Sequence, residues 1–172
     1  MNTVSHSLRL RALEPEDLDM LYRIENDEHL WAIGPTSVPY SRYALHDYVA
    51  HQSGDIYQDR QVRLVIELAN GQVAGLVDIV EFDPKNLRAE VGVVVEQPLR
   101  RQGIARQALE TLHSYALSTL HLRQLYAVVA SDNEASLSLF RQLGYTDNTQ
   151  LRDWLYDGRC FRDALLMQKL LC

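Results

Sequence analysis

Apolar and polar positions alternate over residues 8–13, a period of two that predicts a strand with one buried face. The spacing then becomes helical, and a first helix is expected over about residues 14–27, where Pro15 suits the first turn. Ser41 is expected to cap a second helix that ends near His51, because its hydroxyl can accept a backbone N–H of the first turn.

The middle of the chain carries the pattern of strands. Residues 62–68 are rich in β-branched side chains and precede Asn70-Gly71, a pair that favours a two-residue hairpin turn. A return strand over residues 72–81 and a third strand over residues 87–96 would complete an antiparallel meander. Because residues 91–95 are nearly all apolar, this part of the third strand is expected to be buried on both faces.

The last third of the chain alternates helices and strands. We expect a helix over residues 103–119 and a strand over residues 122–130. A second helix should run from Asp132 or Asn133 to Gly144, and two strands around Asp157-Gly158 should close the chain. No repeat, low-complexity tract or linker interrupts the pattern, so residues 1–172 are predicted to form a single domain. The predicted fold class is mixed α/β (α+β), with a largely antiparallel central sheet and flanking helices.

The composition is that of an ordinary globular domain, with 47% hydrophobic and 23% charged residues among 172. The net charge of −6 argues against a nucleic-acid-binding protein and is compatible with a cationic small-molecule substrate. No apolar run approaches the roughly 20 residues of a membrane-spanning helix, and no secretory signal is expected. Cys160 and Cys172 lack disulfide or metal-ligand spacing, which predicts free thiols in a cytoplasmic protein without a metal site.

The sign of the charge is reversed locally, because Arg100, Arg101 and Arg106 cluster in an otherwise acidic chain. They lie at the start of a predicted helix, whose first N–H groups are unpaired and carry a positive partial charge. Gly103 lets these groups close on a ligand, which predicts a phosphate or pyrophosphate site. The alternative is a solvated basic loop. A dinucleotide fold fits less well, since its fingerprint has three glycines in a parallel βαβ unit.

This segment resembles the acyl-CoA motif of the GNAT acetyltransferase superfamily, [Arg/Gln]-x-x-Gly-x-[Gly/Ala], which Arg100, Gly103 and Ala105 match. Residues 133–145 are similar to a second signature of that family, an asparagine followed by an aromatic residue and by Gly-[Phe/Tyr]. The resemblance covers nearly the whole chain and implies a GNAT-like acyl-CoA acyltransferase fold. The ending at residues 155–164 is similar both to spermidine and diamine N-acetyltransferases and to ribosomal-protein N-terminal acetyltransferases.

The resemblance implies acetyl-CoA as co-substrate. In the family, the strand before the loop splays from its neighbour through a bulge and pairs with the pantetheine arm, while the loop holds the pyrophosphate. Asn133 would contact the arm, cap its helix, or do both. The residues assigned to the cofactor on this basis are Val93, Val94, Val95, Arg100, Arg101, Gln102, Gly103, Ile104, Ala105, Arg106 and Asn133.

The implied chemistry is direct attack of a neutral amine on the thioester, with a base that accepts the amine proton. Glu90 is the first candidate for that base, and its alternative role is that of a salt-bridged strand residue. Glu67 and Glu81, on neighbouring strands, are weaker candidates. The backbone N–H of Val94 or Val95 would stabilise the carbonyl oxygen as it gains charge.

The sequence differs from the family pattern at the position of the acid that protonates the leaving thiolate. Phe140 stands where many members carry a tyrosine, and it has no proton to give. Ser136, one turn nearer to Asn133, is the candidate that replaces it, with water as the alternative. Phe140 and Tyr145 are expected to pack in the core.

The acceptor site is expected in the N-terminal helices and the final hairpin. Carboxylates and aromatic rings suit an ammonium group or a polyamine chain, and the candidates are Glu25, Glu28, Trp31 and Tyr40. Each of these acids has the alternative role of a residue at a solvated helix end.

The predicted function is therefore acetyl-CoA-dependent N-acetylation of a primary amine, such as a diamine or a polyamine. The alternatives are acetylation of protein N-termini, a non-catalytic acyl-CoA-binding module, and a phosphate-binding scaffold unrelated to CoA. The family resemblance also makes the terminal hairpin a candidate contact of a homodimer.

Overall fold

The computed structural model describes residues 7–31 and 38–172, without the side chains of His29 and Trp31. These residues form two compact units, each built from separated segments of the chain. The first contains the residues up to Leu13, residues 52–125 and residues 170–172, and the second contains residues 14–51 and 126–169. The elements follow in the order β1 (Leu8–Ala12), α1 (Leu18–Glu25), α2 (Glu28–Trp31), α3 (Arg42–Ala50), α4 (Ile56–Asp59), β2 (Val62–Leu68), β3 (Val73–Asp83), β4 (Arg88–Val95), α5 (Ile104–Ser118), β5 (Gln124–Ala130), α6 (Glu134–Gln142), β6 (Thr146–Tyr156) and β7 (Phe161–Leu170).

The first unit is built on an antiparallel sheet in which β1, β2, β3 and β4 are neighbours in that order. The chain turns between β2 and β3 at the predicted place, but through three residues, 69–71, rather than two: Leu68 donates its N–H to the Gln72 carbonyl at 2.9 Å, and Gly71, with φ 81°, donates its N–H to the Leu68 carbonyl at 2.8 Å. The helix α5 contacts β1, β3 and β4. Its Leu109 and Leu112 are fully buried, as is Val77 on β3, so helix and sheet share one apolar core.

The strand β4 is less buried than its sequence predicts. Val91 and Val95 are buried, but residues 92–94 between them are only half-buried. The prediction that residues 91–95 are buried on both faces is therefore wrong. An antiparallel strand can pack one face on the core and leave the other open, so a nearly continuous apolar run does not require burial of both faces.

In the second unit, β5, β7 and β6 lie side by side in that order, and β6 and β7 form the predicted antiparallel hairpin. The strand β6 is the outer one of the three, and most of its side chains are exposed. Ser41 caps α3 as predicted, since its hydroxyl accepts the N–H of Ala44 at 3.0 Å. The helix α6 ends before Gly144, which has φ 85°, and the Lys169 ammonium group donates to the Leu143 carbonyl.

Two four-residue helices, α2 and α4, have no counterpart in the sequence prediction, because a single turn is too short to show a periodic apolar face. The first predicted helix begins as a 3-10 turn over Pro15–Asp17, where the Asp17 carboxylate accepts the N–H of Glu14 at 2.9 Å. The strand β3 continues two residues beyond its predicted end, through a bulge at which Glu81 has φ 49°.

The observed fold class is the predicted one, mixed α/β with mostly antiparallel strands and accompanying helices. The single domain over residues 1–172 stays a prediction. Among the helices of the described residues, none is both long and apolar enough to span a membrane.

Candidate functional site

The connection from β4 to α5 has an unusual backbone. A 3-10 turn over Gln97–Leu99 is followed by two residues with positive φ, 61° at Arg101 and 82° at Gly103. Gly103 occupies the N-cap position of α5 and supplies no capping side chain. The first N–H groups of α5 therefore lack the usual acceptor within the described residues, and the positive end of the helix dipole stays open to an anion.

The three arginines of this region, two in the loop and one in the first turn of α5, have different surroundings. The Arg100 guanidinium donates from Nε to the carbonyl of Val95 at 2.8 Å, which ties the loop to the last residue of β4. Arg106 pairs with Glu110 on the next helical turn at 2.9 Å. Arg101 is exposed, and its guanidinium has no ion-pair partner within the described part of the chain. It is the arginine best placed to add charge to an anion at the helix start.

The remaining loop residues offer backbone rather than side-chain contacts. Ile104 is 1% exposed and belongs to the core, so only its N–H can serve a ligand. Ala105 is half-buried and small. Gln102 is exposed and donates from its amide to the Pro98 carbonyl at 3.2 Å. The predicted anion site is therefore a row of backbone N–H groups with a small side chain among them.

The strand β4 pairs continuously with β3 where the cofactor is expected. Gly75, Leu76 and Val77 face Val95, Val94 and Val93 in unbroken register, and the only shift in this pairing lies between Val80 and Asp83, in the bulge of β3. Along this edge of β4, the expected bulge is thus absent from the cofactor segment.

The backbone directions of β4 follow from this pairing. Glu96 donates its N–H to the Ala74 carbonyl of β3 at 2.8 Å. Because backbone groups of an antiparallel strand alternate in direction, the N–H of Val94 also points towards β3, and those of Val93 and Val95 point to the opposite edge. Of the two oxyanion donors considered from sequence, Val94 therefore has its N–H directed towards β3, and Val95 has its N–H directed away from β3.

Gly75 allows β3 and β4 to approach closely. It has φ 155°, and a Cβ atom placed on it would lie 2.0 Å from the Val94 carbonyl oxygen and 2.9 Å from the Val95 Cα. Only glycine fits there without a shift of one strand. Sequence analysis missed this residue, because the contact depends on the register between strands.

The candidate bases differ in their surroundings. Glu90 is half-buried on β4 and lies opposite Val80, and it takes part in interactions rather than standing alone. Glu67 is paired with Arg11 and Arg9, whose hydrogen bonds hold the pKa of its carboxyl below the ordinary value. A carboxylate stabilised in this way is a weaker proton acceptor, so the structure disfavours Glu67.

Glu81 is exposed at the β3 bulge and remains a peripheral candidate. Asp78 lies two residues from Val80, the partner of Glu90, and therefore on the same face of β3. Its carboxylate accepts two hydrogen bonds from the Arg63 guanidinium, at 2.9 and 3.0 Å. This pair holds a guanidinium and a carboxylate beside β4.

The start of α6 lies in the second unit and is organised by Asn133. Its Oδ1 accepts the N–H of Ser136 at 3.2 Å, so Asn133 is the N-cap of α6. The cap uses the oxygen of the amide and leaves the Nδ2 donor for another partner. Ser136 is half-buried in the first turn of the helix, on the side of Asn133.

Phe140 and Tyr145 have the packing role expected for them. Their rings meet edge to face with centroids 4.9 Å apart, and they are 4% and 3% exposed. Burial raises the pKa of the Tyr145 hydroxyl well above its ordinary value, which makes this tyrosine a poor proton donor.

The predicted acceptor residues lie in the second unit around the end of α1. Glu25 is the last residue of α1 and is half-buried, whereas Glu28 is the exposed first residue of α2. The Asn26 side chain joins this region to Tyr40, since its Oδ1 accepts the Tyr40 N–H at 2.8 Å and its Nδ2 donates to the Tyr40 carbonyl at 3.1 Å. The side chain of Trp31, the fourth predicted residue, lies outside the described part of the structure.

Asn26 holds the backbone of the candidate residue Tyr40, and sequence analysis missed it. Its two bonds to Tyr40 span 14 positions, and no local pattern announces such a contact.

The chain is similar to known acetyltransferases. A model of the acetyltransferase (GNAT) domain family matches residues 7–146. Spermidine N(1)-acetyltransferase of Escherichia coli (strain K12) is 28% identical over 166 residues, which cover 95% of this chain and 86% of that protein. The putative ribosomal N-acetyltransferase YdaF of Bacillus subtilis (strain 168) is 26% identical and covers 94% of this chain and 90% of its own.

Solved structures of the Vibrio cholerae spermidine N-acetyltransferase show the same fold. The complex with CoA and spermine has a TM-score of 0.84 at 24% identity and covers 95% of both chains. A dodecameric form has a TM-score of 0.80 at 25% identity and covers 95% of this chain and 94% of that one. The family model spans most of this chain, including the open helix start of α5 and the Asn133 cap of α6. The chain therefore belongs to the GNAT acetyltransferase family.

Proposed function

We propose that this acetyltransferase uses acetyl-CoA to acetylate a primary amine of a diamine or a polyamine, by direct attack of the amine on the thioester. The observation that carries the proposal is the start of α5, where Gly103 leaves the backbone N–H groups open directly after β4. A pyrophosphate fits this row of donors, and exposed Arg101 adds charge to it. The CoA in the Vibrio cholerae complex agrees with this choice of ligand.

The pantetheine arm is proposed to lie along the edge of β4 that faces away from β3. The backbone groups of Val93 and the N–H of Val95 point to that edge, as required for pairing like an added strand. The Arg100 guanidinium donates to the Val95 carbonyl. Arg100 is therefore proposed to support the cofactor site by holding the end of β4, rather than by binding the cofactor as a free cation. Asn133 offers its Nδ2 to the arm while its Oδ1 caps α6.

The acetyl transfer needs a base, an oxyanion donor and an acid. Glu90 is proposed to accept the proton of the attacking ammonium group, directly or through water, which leaves a neutral nucleophile. The N–C bond then forms, the N–H of Val95 stabilises the carbonyl oxygen, and the C–S bond breaks. The nitrogen loses its second proton as the amide forms, and Ser136 or water passes a proton to the thiolate and regains one from the nitrogen or from solvent, since Phe140 has none to give.

The acceptor is proposed to be cationic. Glu25 and Glu28 place carboxylates at the junction of α1 and α2, and Asn26 holds the Tyr40 backbone there. The net charge of −6 and the spermidine acetyltransferases among the relatives support a polyamine. A protein N-terminus is the second candidate acceptor, because the Bacillus subtilis relative is named a putative ribosomal N-acetyltransferase.

A screen of amines with acetyl-CoA tests the proposed function. Diamines, polyamines and peptides with free N-termini are each incubated with the chain, and released CoA is measured by its thiol. We expect the polyamines to react fastest. Preference for the peptides would favour the second candidate. If acetyl-CoA raises the Tm but no amine releases CoA, the chain is a binding module rather than an enzyme. Stabilisation by a nucleotide and not by CoA would support an unrelated phosphate-binding scaffold.

Glu90→Gln is expected to lower kcat/KM about a hundredfold at neutral pH, within the range for loss of a general base. At high pH the amine is already neutral, so the loss should shrink. The pH profile of both enzymes measures this difference. Glu16→Gln, at an exposed carboxylate in the 3-10 turn before α1, is the matched control and should leave the profile unchanged. If the ratio of the wild-type kcat/KM to that of Glu90→Gln does not change with pH, Glu90 is not the base.

Asn133→Ser separates the two roles of Asn133. Serine keeps an oxygen that caps α6, so the Tm should change little, but it lacks the Nδ2 donor. We expect the KM for acetyl-CoA to rise about tenfold, the cost of roughly one hydrogen bond to the arm. An unchanged KM would show that Asn133 is only a helix cap.

We also propose that the chain is a cytoplasmic single domain that forms a homodimer or larger assembly. Tyr156 and Phe161 at the end of the terminal hairpin are 59% and 61% exposed, with ring centroids 5.0 Å apart. Such exposed aromatic rings suit a contact between copies, and the Vibrio cholerae relative is dodecameric. The free thiols Cys160 and Cys172 suit a reducing compartment. Sedimentation of the purified chain as a monomer would contradict the assembly.

A further inference from the structure

The loop that leads into α6 is fastened to β7. Ser131, the first loop residue, donates its N–H and its hydroxyl to the Asp163 carbonyl, at 2.9 and 3.0 Å. The next residue, Asp132, forms an ion pair with Arg162 at 3.0 Å. Two successive residues of β7 therefore hold the two residues that immediately precede Asn133.

Arg162 also contacts the turn of the β6–β7 hairpin. Its Nε lies 3.6 Å from the Asp157 carboxylate, and only 22% of its side chain is exposed. Hydrogen bonds from the N–H groups of Cys160 and Arg159 hold the pKa of the Asp157 carboxyl below its ordinary value. Asp157 is thus an organised anion, and the guanidinium lies between it and Asp132.

The second anchor, Asp163, is fixed from the other side. Its carboxylate accepts the Gln150 amide at 2.6 Å and the Asp153 N–H at 3.0 Å, both from β6. The hairpin therefore fixes the Ser131–Asp132 segment from outside, in addition to the loop's own hydrogen bond from the Asn133 N–H to the Ala130 carbonyl.

We infer that Arg162 is a positioning residue that orients Asn133 and Ser136 through Asp132, an inference that rests on the proposed function. Asn133 follows Asp132 directly, and its Oδ1 accepts the backbone N–H of Ser136 in the cap, which fixes the Asn133 side chain and the backbone that carries the Ser136 hydroxyl. Without the ion pair, the loop keeps its Ser131 anchor and the hydrogen bond from the Asn133 N–H to the Ala130 carbonyl at 2.9 Å, but Asp132 loses its contact with β7. A displacement of about 1 Å at a reacting group can cost about 10²-fold in rate.

The first test measures the steady-state constants of Arg162→Met, which keeps the length and apolar stem of the side chain. We expect the KM for acetyl-CoA to rise about tenfold, within the loss that such a displacement causes, and the KM for the amine to stay unchanged. Arg141→Met is the matched control. It removes an ion pair of α6 with β6, Arg141–Asp147 at 2.6 Å, at the opposite end of the helix, and should change neither constant.

The second test repeats Arg162→Met in the Asn133→Ser background. If Arg162 acts through Asn133, adding Arg162→Met to Asn133→Ser should not raise the KM for acetyl-CoA further. An equal rise in both backgrounds, or the same effect in Arg141→Met, would overturn the inference. Should Arg162→Met fail to fold, Asp132→Asn removes the same pair at a residue whose side chain is 61% exposed, and the same split is expected.

These outcomes are distinct from failure of the proposed function. A wild-type chain that neither binds acetyl-CoA nor releases CoA with any amine would remove both. A wild-type chain that does both, with Arg162→Met indistinguishable from it, would remove only the role of Arg162.

Discussion

Gly103→Glu should raise the Kd of acetyl-CoA about a thousandfold. The new carboxylate would lie at the N-cap of α5, where the pyrophosphate is proposed to accept N–H groups, and would repel it. Two unit charges about 4 Å apart near a protein surface interact with about 4 kcal/mol, which corresponds to roughly three factors of ten in affinity. Calorimetric titration of the variant with acetyl-CoA measures the change.

The control for this prediction is Gly71→Glu. Gly71 has φ 81°, close to the 82° of Gly103, so both variants force a glutamate into the same strained backbone region. Gly71 lies in the β2–β3 turn with no atom within 4 Å of an added Cβ. The control should lose some stability and keep its affinity. Equal affinities of Gly103→Glu and wild type would place the pyrophosphate elsewhere.

Gly75→Ala should cause the largest loss of stability, about 3 kcal/mol, which is the upper range for overpacking of a core. The added Cβ would lie 2.0 Å from the Val94 carbonyl oxygen, so β3 and β4 must move apart. Urea unfolding measures the free energy of unfolding. The movement also shifts the strand proposed to bind the pantetheine arm, so we expect weaker binding of acetyl-CoA by the folded fraction.

Gly92→Ala is the matched control on the facing strand. An added Cβ on Gly92 would meet nothing within 4 Å, so its free energy of unfolding should change by less than about 0.5 kcal/mol. If both alanine variants unfold at the wild-type urea concentration, the close approach of β3 and β4 does not limit stability.

The features that sequence predicts correctly are local ones. The place of the β2–β3 turn, though not its length, the Ser41 cap and the glycine at the start of α5 each follow from backbone preferences within a few residues. The family resemblance added the chemistry that these local preferences lack. It related the open helix start and the asparagine of α6 as two motifs of one family, and the family model covers both positions.

The features that sequence does not predict depend on register or on contacts distant along the chain. Arg100 is expected from its motif to bind the cofactor, yet its guanidinium donates to the Val95 carbonyl, which only the folded loop brings near. Glu67 is a candidate base until the pairing of β1 with β2 places two arginines beside it. The half-buried centre of β4 likewise depends on which elements pack on each face of the strand, and an apolar run in the sequence does not predict these elements.

The outer position of β6 bears on how the chain behaves at high concentration. An exposed edge strand of 11 residues is a template for pairing with other chains, which leads to aggregation. This strand shifts register twice against β7, and Asp153 within it has φ 49°. Such irregularities twist the edge away from the flat form that stacks into fibrils. The same bends that the Asp163 carboxylate stabilises therefore also oppose the growth of fibrils from this edge.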